Sequence, residues 1–458
     1  MTFSAADTPT NSLAPTALWA RLLFWFALAS EIALFAALNL FDDWRLESMP
    51  VKFAATAALS GIGYLVAASF YRRGASLRQQ AATFWGVAIL LRLLALPLSP
   101  GDDFWRYQWE GKIQQAGFNP YVFAPDDPQL EMVRANFPDW LKINHRDYGA
   151  IYPPGAEMLF AELSRISESP LLYKIVFMAA DLAVAALLLR LIGGQSRYAV
   201  AAWYAWNPMV AYSFAGGAHF DSLMLLPMMA GILFFVRMQA TANARSKWWF
   251  AGAGAIVFGI AISIKLIPLL LLPVCIFALG FRAIVLLLSA GVPALLSLAY
   301  GYPRVAIWHS LSRFVYVTRV NDLFWWLIED TIWPNPHQKN YHYNVILIIA
   351  VVLVSLLFFW NWKRGVLWVL GVALVLSPVL HPWYCTWILP VATWRRVHAW
   401  HVLSVTLFAY FLFWNERLFA LPWHAEPWMR VIIMLPPIVL ALFATARKRE
   451  PVVSEDPV

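Results

Sequence analysis

Two adjacent carboxylates, Asp102 and Asp103, stand in the run SPGDDFWRYQWEGK, directly after Pro97 and Pro100. Neighbouring acids raise one another's pKa, as a general base needs to do, and together they can hold a divalent cation. The same pair also fits the N-cap of a helix beginning near Phe104. A second group, His145, Arg146, Asp147 and Tyr152, lies in NHRDYGAIYPPGAE ahead of Pro153-Pro154. A proline pair fixes a rigid loop, which can hold polar side chains over a cavity or simply turn the chain. In Gly216-Gly217-Ala218-His219-Phe220-Asp221 an acid stands where an apolar run begins. An ionisable residue there marks function by default, although Asp221 can equally be an N-cap and His219 an interfacial histidine.

Lys265 in SIKLIPLLLLP and His381 in SPVLHPWY each separate two short apolar runs. A lysine between half-helices is a natural partner for a phosphate anion; the plainer reading is a lysine snorkelling from a loop. Arg92 lies inside an apolar run and can pair with Glu31 as a purely structural ion pair. Cys275 and Cys385 stand in apolar runs and offer neither a disulfide framework nor metal spacing.

The elements that position these groups must sit in lipid. Of 458 residues, 61% are hydrophobic and only 13% charged, whereas soluble domains carry about 25% charged residues. That polar fraction is too small to cover such a chain in water, so the fold class is an all-α, polytopic transmembrane bundle. A helix needs about 20 apolar residues to cross roughly 30 Å of hydrocarbon. Apolar runs place spans near 17–41, 51–71, 82–99, 171–192, 198–214, 220–237, 248–263, 266–280, 283–301, 343–362, 365–379, 383–394, 399–418 and 428–446. The count is therefore about 12–14, because the pairs 248–263/266–280 and 365–379/383–394 also fit half-helices. Ala17–Phe41 is too long for the h-region of a signal peptide and reads as a first span.

Lys and Arg gather in alternate connections, among them Arg72, Arg73 and Arg78; Arg190 and Arg197; Arg237, Arg245 and Lys247; and Arg395 and Arg396. The positive-inside rule makes those loops and both termini cytoplasmic, in an inner membrane. The net charge of +8 is thus a topology signal and not a nucleic-acid footprint. The intervening outer connections, with 101–170 and 302–342 as the large loops, hold the groups at Asp102-Asp103, His145–Tyr152, His219–Asp221, Lys265 and His381. Residues 104–113 have the periodicity of an interfacial helix on the outer leaflet, with Phe104, Trp105, Gln108, Trp109 and Ile113 toward headgroups and Arg106, Glu110 and Lys112 opposite. One membrane domain covers 1–449, and 450–458 is a disordered cytoplasmic tail.

The run DDFWRYQWEGKIQQAGFNPYVFAPDDP (102–128), followed by NHRDYGAIYPPGAEMLF (144–160), resembles the GT-C glycosyltransferases. The likeness is to bacterial polyprenyl-phosphate-mannose-dependent mannosyltransferases and family 87 relatives. GGAHFDSLM (216–224), KLIPLLLLP (265–273) and SPVLHPWY (377–384) extend it. The resemblance implies a membrane enzyme that moves a sugar, mannose by likeness, from a polyprenyl-phosphate donor to a lipid or glycan acceptor with inversion. It implies a catalytic carboxylate at Asp103 or Asp102, phosphate contacts from Lys265, His381 and Arg106, and substrate contacts from His145, Tyr152, His219, Asp221 and Glu110. Some relatives use a divalent metal, which Asp102 and Asp103 would hold. The family's Trp-Asp-Gly is Trp109-Glu110-Gly111 here. A secondary transporter is one competing reading, weakened by the absence of similarity between the two halves; another outer-face lipid enzyme, such as an acyltransferase or an oligosaccharide ligase, is the second.

Overall fold

The structure is a computed structural model describing residues 15–46, 48–71, 76–301, 305–337, 339–413 and 427–447; the expected tail at 450–458 lies outside them. Its helices are α1 (Pro15–Ala37), α2 (Met49–Phe70), α3 (Leu77–Ala95), α4 (Asp103–Gln115), α5 (Pro154–Ile166) and α6 (Pro170–Ile192). There follow α7 (Arg197–Ala205), α8 (Asp221–Ala240), α9 (Ala244–Ile264), α10 (Leu272–Leu279), α11 (Leu286–Ser297) and α12 (Val305–Val317). The chain closes with α13 (Tyr341–Leu357), α14 (Trp362–Val375), α15 (Leu389–Arg395), α16 (Ala399–Thr406) and α17 (Pro427–Arg447), besides shorter turns. Among the described residues the only extended pairing is one parallel bridge, Val320 to Val379. The chain is an all-α bundle.

Six helical stretches are long and apolar enough to cross a membrane by length and composition, and shorter apolar helices accompany them. Helix ends carry the chemistry that stops them. Ser76 and Gln79 form a reciprocal capping box on α3; Ser169 caps α6 ahead of Pro170, and Gly193 at φ 63° ends it. α9 is one unbroken helix, so the half-helix alternative does not apply to 248–263. The stretch Ile267–Tyr300 turns at Gly280, φ 57°, and comes back beside α9, where Ser289 donates to the Ala255 carbonyl at 2.7 Å. The run 198–214 breaks at Asn207-Pro208, whose asparagine caps the next turn. Large apolar side chains such as Phe281, Leu287 and Leu353 are exposed along the outside, tolerable only where lipid is the solvent.

Two expectations are corrected. Arg92 does not pair with Glu31. Its Nε lies 2.7 Å from Asp181 Oδ2 with both side chains fully buried, and Tyr204 donates to the other Asp181 oxygen at 2.7 Å. The pair ties α3, α6 and α7 together. Glu31, on α1, is also fully buried but makes no ion pair with Arg92. Nor does α4 lie on the leaflet surface: it buries Phe104, Tyr107, Trp109 and Ile113 and also Arg106, Gln108 and Glu110. Its polar face is covered because Arg106 and Glu110 pair with each other and Gln108 donates to the Glu168 carbonyl at 2.5 Å. Periodicity reports two chemically different faces, not which of them meets solvent.

Candidate functional site

Asp103 is the first residue of α4, and Asp102 holds the N-cap position with helical dihedrals and no side-chain capping bond. The capping alternative therefore leaves the Asp102 carboxylate unused, and both acids line a cavity of about 870 Å³. That volume is in the range of ligand pockets. Asp103 Oδ1 accepts a 2.8 Å hydrogen bond from Asn144 Nδ2, while 23% of its side-chain surface stays open. Burial, and then the Asp102 charge, push its pKa up to about 7, against the pull of Asn144 and Lys265. A carboxyl poised there exchanges a proton near neutral pH.

Lys265 ends α9 in an extended conformation. Its Nζ lies 2.5 Å from Asp221 Oδ1, at the start of α8. The same oxygen accepts from Trp387 Nε1 at 2.6 Å. Lys265 Nζ is also 5.0 Å from the Phe220 ring, 4.9 Å from Tyr384 and 5.0 Å from Trp387, an aromatic box suited to a cation. Asp221 is thus a counter-ion and not an N-cap, and Lys265 points inward instead of snorkelling. Gly155 makes this approach possible: a Cβ there would stand 2.6 Å from Ser263 Oγ and 2.7 Å from Ser263 O, two residues before Lys265.

His219, Trp383 and His381 form a stack. The His219 and Trp383 ring centroids are 3.6 Å apart at 16°, and those of His381 and Trp383 4.4 Å apart at 6°. His381 Nδ1 meets the Tyr410 hydroxyl at 3.1 Å. The loop bearing His381 is held from outside: Val320 N donates to Pro378 O at 3.1 Å and Leu380 N to Val320 O at 2.8 Å. The loop bearing His219 is held by Gly101 N donating to Gly217 O at 2.9 Å, next to Asp102. Burial, then the Lys265 charge, depress both imidazoles, His381 to about 3 and His219 well below its ordinary value. Both are neutral at physiological pH, so each offers one N–H donor and no charge.

Arg106 and Glu110 depart from their expected roles. Arg106 donates from Nε to Glu110 at 2.7 Å, from Nη1 to the His145 carbonyl at 2.8 Å, and from Nη2 to the Tyr148 and Gly149 carbonyls at 2.6 and 2.7 Å. It borders the cavity, but its guanidinium is spent as a clamp on the 144–152 loop and is no free phosphate ligand. Glu110 lies behind it, away from the cavity wall, against the buried Glu157. Burial raises both carboxyls, Arg106 draws Glu110 back, and Glu157 is pushed up further by Glu110 itself. That ordering keeps the proton on Glu157. His145 (φ 44°) and Tyr152 do line the cavity, with Tyr384, Tyr410, Thr318 and Arg319. Lys265, His219 and Asp221 sit just behind its wall.

Sequence reasoning did not single out Asn144, Trp383, Tyr384, Trp387 or Tyr410. The four earlier ones stand inside or next to motifs already quoted, whereas Tyr410 lies in an apolar run with no distinguishing pattern. Among the described residues no group of three or more His, Cys, Asp and Glu side chains is placed to hold a metal ion.

No curated protein and no solved structure matches this chain. The family model described as alpha-(1->6)-mannopyranosyltransferase, N-terminal domain, matches residues 25–280, more than half of the chain and the part that carries Asp103, Asn144, His219, Asp221 and Lys265. On that match the chain belongs to the MptA_B mannosyltransferase family.

Proposed function

We propose that the chain transfers mannose from a polyprenyl-phosphate donor to a hydroxyl of a lipid or glycan acceptor, with Asp103 as general base. The observation that carries this reading is one carboxyl, its pKa pushed up to about 7, opening into a cavity whose other wall is built by His381, Tyr384 and Tyr410. The acceptor oxygen attacks the anomeric carbon as its proton passes to Asp103. The bond from that carbon to the donor phosphate breaks, and the electron pair leaves with the phosphate. A phosphate needs no proton to leave but does need stabilisation of its charge. The Tyr384 hydroxyl and the one proton left free by the His381–Tyr410 hydrogen bond can donate to it, while the Lys265–Asp221 pair fixes the Tyr384 ring from behind. Asp126, Arg146 and Asp147 line the loop side of the cavity, where a hydroxyl-rich acceptor would find partners. One displacement inverts the anomeric centre, so an alpha-linked product requires a beta-linked donor.

The reading places the cavity on the extracytoplasmic side. It lies at the Asp221 end of α8, and Arg237, Arg190 and Arg197 gather at the other end, about 24 Å away at 1.5 Å per residue. A donor anchored in the leaflet presents its phosphate at that depth. The proposed steps route nothing through a metal; Asp102 and Asp103 are the two adjacent carboxylates that would hold a divalent cation. Carrier and acyl-transfer readings give way to sugar transfer on the family match.

The test is transfer of radiolabelled mannose from synthetic polyprenyl-phosphate-mannose by purified protein, with Asp103→Asn, Asp102→Asn and the double variant. Loss of general-base catalysis in Asp103→Asn should cost on the order of 10²–10⁴-fold in kcat. Full activity in the double variant removes the assignment.

A further inference from the structure

A second pocket, of about 400 Å³, opens at the far end of α6 and α8, lined by Ala186, Leu189, Arg190, Gly193, Arg197, Tyr198 and Arg237. We propose that it binds the phosphate of an anionic membrane lipid, at a site separate from the transfer cavity. Three of its residues are arginines, and among the described residues none of the three has a carboxylate partner. Arg190 and Arg237 stand in the last turns of α6 and α8, where a cation also complements the helix dipole. Arg197 does not share that excuse. It opens α7, where the dipole is positive and a guanidinium is disfavoured. The pocket thus has three arginines and no acid among its lining residues, so an anion bound there meets unopposed positive charge.

The chemistry of the anion follows from the wall. Guanidinium forks match phosphate oxygens in pairs. Ala186 and Leu189 belong to a helix long and apolar enough to cross a membrane, so one side of the pocket suits an acyl chain. The pocket stands where that helix ends at Gly193, which is headgroup depth. Basic pockets between membrane helices bind anionic headgroups in this manner. A lipid phosphate satisfies the arginines and the apolar wall together; free phosphate satisfies only the first.

The experiment is native mass spectrometry of the full-length protein released from nanodiscs of equal phosphatidylglycerol and phosphatidylcholine. The expected result is retained phosphatidylglycerol in the wild type and about tenfold weaker retention in the triple variant Arg190→Gln, Arg197→Gln, Arg237→Gln. A control removing as much charge outside the pocket (Arg245→Gln, Lys247→Gln, Arg364→Gln) should keep the lipid. Ala186→Trp, which fills the pocket and keeps every charge, should lose it, and this covers the case in which the triple variant misfolds. Equal retention by wild type, triple variant and Ala186→Trp overturns the proposal, as does equal loss in the control. Displacement of the lipid by millimolar inorganic phosphate alone would overturn the lipid assignment in favour of a free-anion site.

Discussion

Lys265 and Asp221 neutralise each other inside an aromatic box, Nζ to Oδ1 at 2.5 Å, with Asp221 fully buried and Lys265 13% exposed. On the proposed reading, a donor phosphate in the adjacent cavity meets a compensated charge, because Lys265 shares its field with a carboxylate. The pair joins the start of α8 to the end of α9 and so sets where the Tyr384 and Trp387 rings stand.

Removing one partner leaves the other charged and enclosed, which costs roughly 3–5 kcal/mol for a buried pair. Asp221→Asn should lower the thermal midpoint of the detergent-solubilised protein by that route. Asp221→Asn with Lys265→Met should recover much of the loss. A double-mutant cycle in the same assay checks it; strictly additive losses would mean that the two side chains are energetically independent.

The pH profile of transfer tests Asp103. A base works deprotonated, so the rate should rise with pH and reach half its plateau near pH 7, since burial and Asp102 hold the pKa at about 7. Asn144→Ala deletes a bond that favours the charged form, and the midpoint should move higher. The linked effect on stability has the opposite slope. The folded carboxyl binds its proton more tightly than the unfolded one, whose value is 3.8, so this contribution is complete at low pH and is lost as pH rises toward 7. A rate midpoint near 3.8 would show an ordinary carboxyl.

Arg106→Lys keeps a positive charge beside Glu110 but cannot span the carbonyls of His145, Tyr148 and Gly149 with one ammonium. The 144–152 loop carries Asn144, which orients Asp103. Displacing it should lower kcat/KM on the order of 10²-fold while the bundle still folds. Limited proteolysis should then cut within 144–152 faster than in wild type. Unchanged kinetics would show that the clamp is dispensable.

For the bundle itself, Asp181→Asn or Arg92→Met should destabilise by roughly 3–5 kcal/mol, because each strands a buried charge. Glu31→Gln should be mild, since Arg92 is already matched by Asp181 and an amide fits the carboxyl's space. Thermal unfolding of the three variants ranks them; a Glu31→Gln loss as large as that of Asp181→Asn would restore Glu31 as the working counter-ion.

The all-helical membrane architecture was legible because lipid demands it: long apolar runs with few charges have one stable form, the helix that satisfies its own backbone. Asp103, Lys265, His219, Asp221 and His381 were legible for a related reason, as ionisable groups at the ends of apolar runs stand out against their surroundings. Asn144 and Tyr410 were not, because an amide in a loop and a tyrosine in an apolar stretch are unremarkable until a neighbour is known.

Pairing was beyond the reach of one-dimensional reading. The Arg92 carboxylate partner proved to be Asp181, 89 residues along the chain, and not Glu31, because which helices adjoin depends on packing among all of them. Likewise the Arg106 guanidinium has the composition of a phosphate ligand, and only the return of residues 145–149 to its side commits it to carbonyl oxygens. The sequence by itself determined residue chemistry, helix periodicity and the distribution of charge along the chain. Tertiary structure decided which charges cancel, which faces close, and which of the cavity's carboxyls is half enclosed beside another acid, since desolvation and Coulomb energies depend on distances that no linear spacing contains.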